Sequence, residues 1–116
     1  MQNVFDGQPK QLIIFEMADG TRPFDEWLDK LRDLRAVARI DARVTRMGAG
    51  NPGNYKSLGN GLYELKIDYG PGYRIYFAFS GQQIVLLLCG GDKASQQSDI
   101  QAAAKYWKNF QEGQSQ

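Results

Sequence analysis

A chain of 116 residues, 42% hydrophobic and 23% charged, has the size and composition of one globular domain around one core, so a single domain over 1–116 is expected, with loose ends at 1–9 and 111–116. The formal charge of +1 neither favours nor excludes a nucleic-acid partner, because the placement of charge outweighs its sum. No apolar run approaches the roughly 20 residues a membrane span needs, and Met1 to Gln8 lacks the basic and apolar regions of a signal peptide, so a cytoplasmic protein with no membrane partner is expected.

Histidine is absent, which removes the commonest general acid–base group and metal ligand together. The one cysteine, Cys89, has no internal disulfide partner and lies in the most apolar run of the chain, where a thiol acts as a small hydrophobe. No Gly-Lys-Ser/Thr phosphate loop, Gly-x-Ser-x-Gly elbow or metal-ligand spacing occurs. Neither a metal nor a cofactor is expected.

In chain order, Lys10 to Met17 is a short β-rich run that ends at the Asp19-Gly20 turn signal. Thr21 and Arg22, followed by Pro23 and acidic Asp25 and Glu26, open a helix whose Phe24, Trp27, Leu28 and Leu31 form a buried stripe. Helical periodicity resumes over Leu34 to Met47 and stops at the Gly- and Pro-rich segment from Gly48 to Gly53. In this second helix Val37, Ile40, Val44 and Met47 should face the core, whereas Arg35, Arg39, Arg43 and Arg46 line another side. Such a stripe is either a solvated face paired with Asp33 and Asp41 or a polyanion contact.

Gly48 to Asn60 reads as a long Gly- and Asn-rich connection carrying Lys56. Two alternating runs follow, Leu62 to Asp68 and Tyr73 to Phe79, joined by the turn Tyr69-Gly70-Pro71-Gly72. Register is fixed by the alternation, because a slip of one residue would set apolar side chains opposite polar ones. Lys66, Arg74 and Tyr76 therefore share one face of the hairpin, within about 10 Å of one another. Ile84 to Cys89 is apolar on both faces and reads as the innermost strand. Ser95 or Ser98 caps a last helix with a stripe of Ile100, Ala103, Ala104, Trp107 and Phe110. The expected fold is α+β in the order β-α-α-β-β-β-α, an antiparallel-rich sheet with helices packed mainly on one face.

A face with that composition suits cleavage of RNA by its own 2′-hydroxyl. That reaction needs a base, cations for the pentavalent phosphate and an acid for the departing 5′-oxygen, none of which demands histidine or a metal. A lysine among other cations can serve as base, arginine grips phosphate oxygens, and tyrosine stacks or donates a proton. Lys66, Arg74, Lys93, Lys56 and Tyr76 supply those types. The competing reading is that Lys66 and Arg74 merely pair with Glu64 and Asp68 across the hairpin.

The segments FDEWLDKLRD, ARIDARVTRM, GNPGNYKSLGNGLYELKIDYGPGYRIYF and IVLLLCGGDKASQQSDI resemble the RelE/ParE toxin superfamily, in particular HigB-like addiction-module killer proteins, over about Phe24 to Lys105. The resemblance implies a RelE-like fold and the toxin of a type II toxin–antitoxin module. Such a toxin cuts mRNA, commonly at the ribosome, inhibits translation, and is held inactive by an antitoxin that is often a helix-turn-helix protein. It also implies that Lys66 and Arg74 flank the scissile phosphate and that Lys93 follows the last strand as a further basic residue. Asp99 then lies near the position of a catalytic tyrosine or acid, and Lys56 contacts RNA or ribosome. Two departures stand out: Glu64 replaces a lysine, and no tyrosine lies near Asp99, so Tyr76 or Asp99 would fill the missing role. The ParE branch shares the fold and poisons gyrase without cutting RNA, and an inactive antitoxin-binding relative is a further alternative.

Overall fold

Alternation of apolar and polar side chains organises the centre of the molecule. The computed structural model describes residues 5–114. In it β1 (Gln11–Ile14), α1 (Pro23–Lys30), α2 (Leu34–Gly48), β2 (Tyr55–Gly59), β3 (Leu62–Ile67), β4 (Tyr73–Ser80), β5 (Ile84–Gly91) and α3 (Gln96–Gln114) follow one another. One five-stranded sheet forms in the order β1-β5-β4-β3-β2. The β3–β4 register pairs Lys66 with Arg74, Glu64 with Tyr76 and Leu62 with Ala78, as hydrophobic alternation requires. β5 lies between β1 and β4, parallel to the first and antiparallel to the second. Val85, Leu86 and Leu88 are fully buried, each side chain contributing about 1.5–3 kcal/mol by leaving water. The fold is α+β with a mixed sheet.

Several expectations are corrected. A strand, β2, occupies the segment read as a connection, so the order is β-α-α-β-β-β-β-α. Its hairpin with β3 turns on Asn60 and Gly61, at φ 56° and 83°, the left-handed pair that a two-residue turn demands. The helices are not gathered on one face. Residues of α1 and α2 pack with Leu65, Ile67, Ile75 and Phe77, whereas α3 packs with Leu62, Tyr76, Ala78, Leu86 and Leu88 on the opposite face.

The ends are tied more firmly than composition indicates. Phe5 is buried against Tyr55, Phe77 and Phe79, and α3 runs on to Gln114. Residues 1–4 and 115–116 of the expected loose ends lie outside the described residues. β1 is four residues long, shorter than expected.

In α2 the fully buried side chains are Ala36, Ile40 and Met47, with Val37 at the margin. In α3 Tyr106, stacked on Phe15 at 5.3 Å, takes the core place expected of Ala104, which is exposed. Ser95 rather than Ser98 precedes the first turn of α3, its Oγ accepting from Asp92 N. No helix among the described residues is long and apolar enough to cross a membrane.

Candidate functional site

The β2–β3–β4 strands place four charged side chains on the α3 side of the sheet. Lys66 and Arg74 are directly opposed across β3 and β4, and Lys56 of β2 is opposed to Glu64 of β3. Side chains of α3 pack over Tyr76 and Cys89, whereas Lys56 and Lys66 stay open to solvent. What remains is an open cleft of about 260 Å³ lined by Asn54, Tyr55, Lys56, Glu64, Lys66 and Arg74.

Glu64 is the hub of the cleft, with a side chain 2% exposed. Its Oε1 lies 3.6 Å from Lys56 Nζ, and its Oε2 lies 3.7 Å from Arg74 Nε and accepts a hydrogen bond from Gln96 Nε2 at 2.8 Å. Gln96 is the first residue of α3, so one amide ties the helix to the carboxylate. Arg74 is 8% exposed and donates from Nη1 to Gly72 O at 2.8 Å. Its Nε has no hydrogen-bond partner among the described residues. The two outer cations are freer: the Lys56 side chain is 63% exposed, and that of Lys66 is 44% exposed, 3.6 Å from Asp68 Oδ1. The expected charge pairing is present, Arg74 with Glu64 across the hairpin and Lys66 with Asp68 next to β3, while the two lysines stay open to solvent.

A second cleft, about 310 Å³, adjoins the first and shares Asn54 and Lys66 with it. Its other walls include Arg39, Arg43 and Arg46 of α2. The arginine stripe divides here. Arg43 is a clasp: its Nη1 donates to Lys66 O at 2.8 Å, its Nε and Nη2 donate to Pro52 O, and Nη2 also donates to Asn54 O. Those bonds fix the 48–54 segment against β3, and desolvation holds the guanidinium below its ordinary pKa. Arg39 lies 4.6 Å above the Tyr69 ring, whose hydroxyl donates to Asp33 Oδ2 at 3.1 Å. Arg46 is exposed at the cleft, and Arg35 stands apart from it at the start of α2.

Three residues expected to join the site do not line either cleft. Tyr76 is fully buried, and its hydroxyl meets no hydrogen-bond partner among the described residues. Burial first, then the Glu64 charge, pushes that phenol well above its ordinary range. Asp99 is a structural partner of the α3 start, accepting from Ser95 Oγ at 2.5 Å. Its carboxylate fills the space over Gly91, where a methyl group would collide with it. Lys93 is exposed near the Pro71 turn, to whose carbonyl its backbone N–H donates. Glu64, read from the sequence as a pairing partner and as a departure from the family pattern, is the carboxylate that lines the cleft. Its signal was its place between Lys66 and Leu62 in the same alternating set, facing Tyr76.

Comparison with known proteins places this framework in a family. A family model described as phage derived protein Gp49-like (DUF891) matches residues 26–108, a span that contains every residue of both clefts. An uncharacterized protein of Haemophilus influenzae is 51% identical over 83 residues, covering 72% of this chain and 84% of the relative. The chain belongs to the phage-derived Gp49-like family, a family associated with RelE-like toxins of toxin–antitoxin modules.

Proposed function

We propose that this protein is the toxin of a type II toxin–antitoxin module and acts as a ribosome-associated mRNA endonuclease. The observation that carries this reading is the opposed Lys66–Arg74 pair, set beside Lys56 and Glu64 in an open cleft. Lys66 and Arg74 neutralise the phosphate, and the arginine-lined cleft beyond Lys66 takes the continuing backbone.

The RNA 2′-hydroxyl attacks the adjacent phosphorus while Glu64 accepts its proton. The bond to the 5′-oxygen breaks as that oxygen takes a proton from Lys56, leaving a cyclic phosphate and a 5′-hydroxyl. Entry of a phosphate draws Lys56 away from Glu64, which frees the carboxylate to act. The acid–base work thus falls to Glu64 and Lys56 rather than to Tyr76 or Asp99, which lie outside the cleft. Family membership supports a cognate antitoxin as partner, and a helix-turn-helix protein is the form proposed.

The test is a cell-free translation reaction with mapping of RNA 5′ ends. Wild type should arrest synthesis and leave 5′-hydroxyl ends, and Lys66→Ala should restore synthesis. Arrest with intact mRNA, or inhibition of gyrase supercoiling instead, would overturn the reading.

A further inference from the structure

Two residues along β3 from Glu64, on the same side of the sheet, stands Leu62. Beside it opens a separate recess of about 350 Å³, walled by Leu58 and Leu62 from the sheet and by Ile100, Ala104 and Trp107 from α3, with Lys108 lining it as well. Same-face neighbours on a strand are about 7 Å apart, so the recess begins one side chain beyond the Glu64–Lys56 cleft. Its apolar walls carry amide-bearing residues, Asn60 and Gln111, at their edge.

Trp107 is held in place from several sides. Its Nε1 donates to Asn60 O at 3.0 Å, and its indole lies over Gly61, where the missing Cβ leaves it room. Phe110 stacks on it with centroids 6.0 Å apart. The left-handed Asn60–Gly61 turn is what presents that carbonyl to the indole. A fixed, half-buried indole among aliphatic walls, with amides and a cation nearby, is a platform on which a base can stack.

We propose that this recess receives a nucleobase of the same RNA strand whose phosphate lies between Lys66 and Arg74, an inference that rests on the nuclease reading of that cleft. Continuity along one sheet face favours this occupant, and Lys108 suits the phosphate that accompanies the base. An amphipathic peptide helix needs a row of anchor pockets at helical spacing. The recess, lined by Asn60 at the β2–β3 turn, offers one pocket rather than such a row.

The experiment measures binding of a 2′-O-methyl trinucleotide, which cannot be cleaved, alongside versions abasic at one end or the other. The proteins are wild type, Ala104→Phe and Lys66→Ala. Ala104 is exposed on α3, so a larger side chain fills the recess without entering the core, and an unchanged Tm verifies this. Loss of the base at one end should weaken binding to wild type about tenfold. Ala104→Phe should bind the intact oligomer as weakly as wild type binds that abasic one, whereas Lys66→Ala should weaken intact and abasic oligomers alike.

Equal affinity of wild type for all three oligomers, with Lys66→Ala still weaker, removes the base site and leaves the phosphate cleft standing. Affinity indifferent to Lys66→Ala, or no binding at all, removes both. If Ala104→Phe spares oligomer binding but loses capture of a helix-turn-helix antitoxin encoded beside it, the recess belongs to a protein partner and the proposal is overturned.

Discussion

Glu64 and Arg74 are buried together on neighbouring strands, the carboxylate Oε2 3.7 Å from the guanidinium Nε, and they share the cleft with two far more exposed lysines. Removing one member of a buried charge pair strands the other, at a cost of about 3 kcal/mol or more. Arg74→Ala should therefore lower Tm sharply, and lost activity in that variant would report folding as much as chemistry. Lys66→Ala should leave the thermal melt unchanged while RNA cleavage falls at least about tenfold, for loss of roughly 1.4 kcal/mol of transition-state stabilisation. A melt combined with a single-turnover cleavage assay checks both.

Glu64→Gln retains the shape of the side chain but loses the charge that accepts a proton. Because it leaves the buried Arg74 without its counter-charge it should also lower Tm, so cleavage is measured below the variant's melt. Cleavage should slow by about 10²–10⁴, and RNA affinity should hold or increase, since a negative charge has left a cationic cleft. Single-turnover rates alongside binding to uncleavable RNA separate the two effects. Full activity in Glu64→Gln would reduce Glu64 to a tether for Lys56, Arg74 and Gln96.

The Tyr76 hydroxyl is buried without a hydrogen-bond partner among the described residues. Tyr76→Phe should consequently be neutral, or stabilising by about 1 kcal/mol, because the unfolded phenol is hydrated and the folded one gains nothing in exchange. Cleavage should be unaffected. A large drop in activity in a well-folded Tyr76→Phe protein would restore tyrosine to the mechanism.

Arg43 and Arg46 line the same cleft but should fail in different ways when replaced. Arg43→Ala deletes the clasp on Pro52, Asn54 and Lys66 carbonyls, and denaturant melts should show a loss of about 2 kcal/mol. Arg46→Ala should melt as wild type does, yet bind RNA more weakly and with a shallower salt dependence, by about one counterion.

Asp33 caps α2, and its carboxyl is held below the ordinary 3.8, first by the Ala36 amide and then by the Tyr69 hydroxyl and the Arg35 amide. A depressed carboxylate stabilises the fold above its unfolded pKa, and that contribution is lost as pH falls through the folded value. Asp33→Ala should lower Tm near neutral pH, and the gap from wild type should narrow as the pH is taken below 3.8. Melts across an acid series provide the measurement.

Local pattern sufficed for much of this molecule. Alternation in Leu62–Ile67 and Tyr73–Ser80 fixed the register that opposes Lys66 and Arg74, because a half-buried strand penalises every one-residue slip. The 3.6-residue period and the Gly48–Gly53 stop located α2. β2 was hidden because its residues lack alternation of their own, and only the Asn60-Gly61 pair betrayed the hairpin.

What the chain could not declare locally was which elements cover which face. A helix stripe says that a side is buried, not against what, so the placing of α3 on the Tyr76 side and of α1 and α2 on the other had to come from packing. That choice closed the sheet over Tyr76, turned Asp99 into the partner of Gly91, and left Glu64 as the carboxylate facing the cleft. Sequence alone determined the charges and the face they occupy. Which of them remain open to a partner was decided by tertiary structure, because accessibility depends on neighbours far away along the chain.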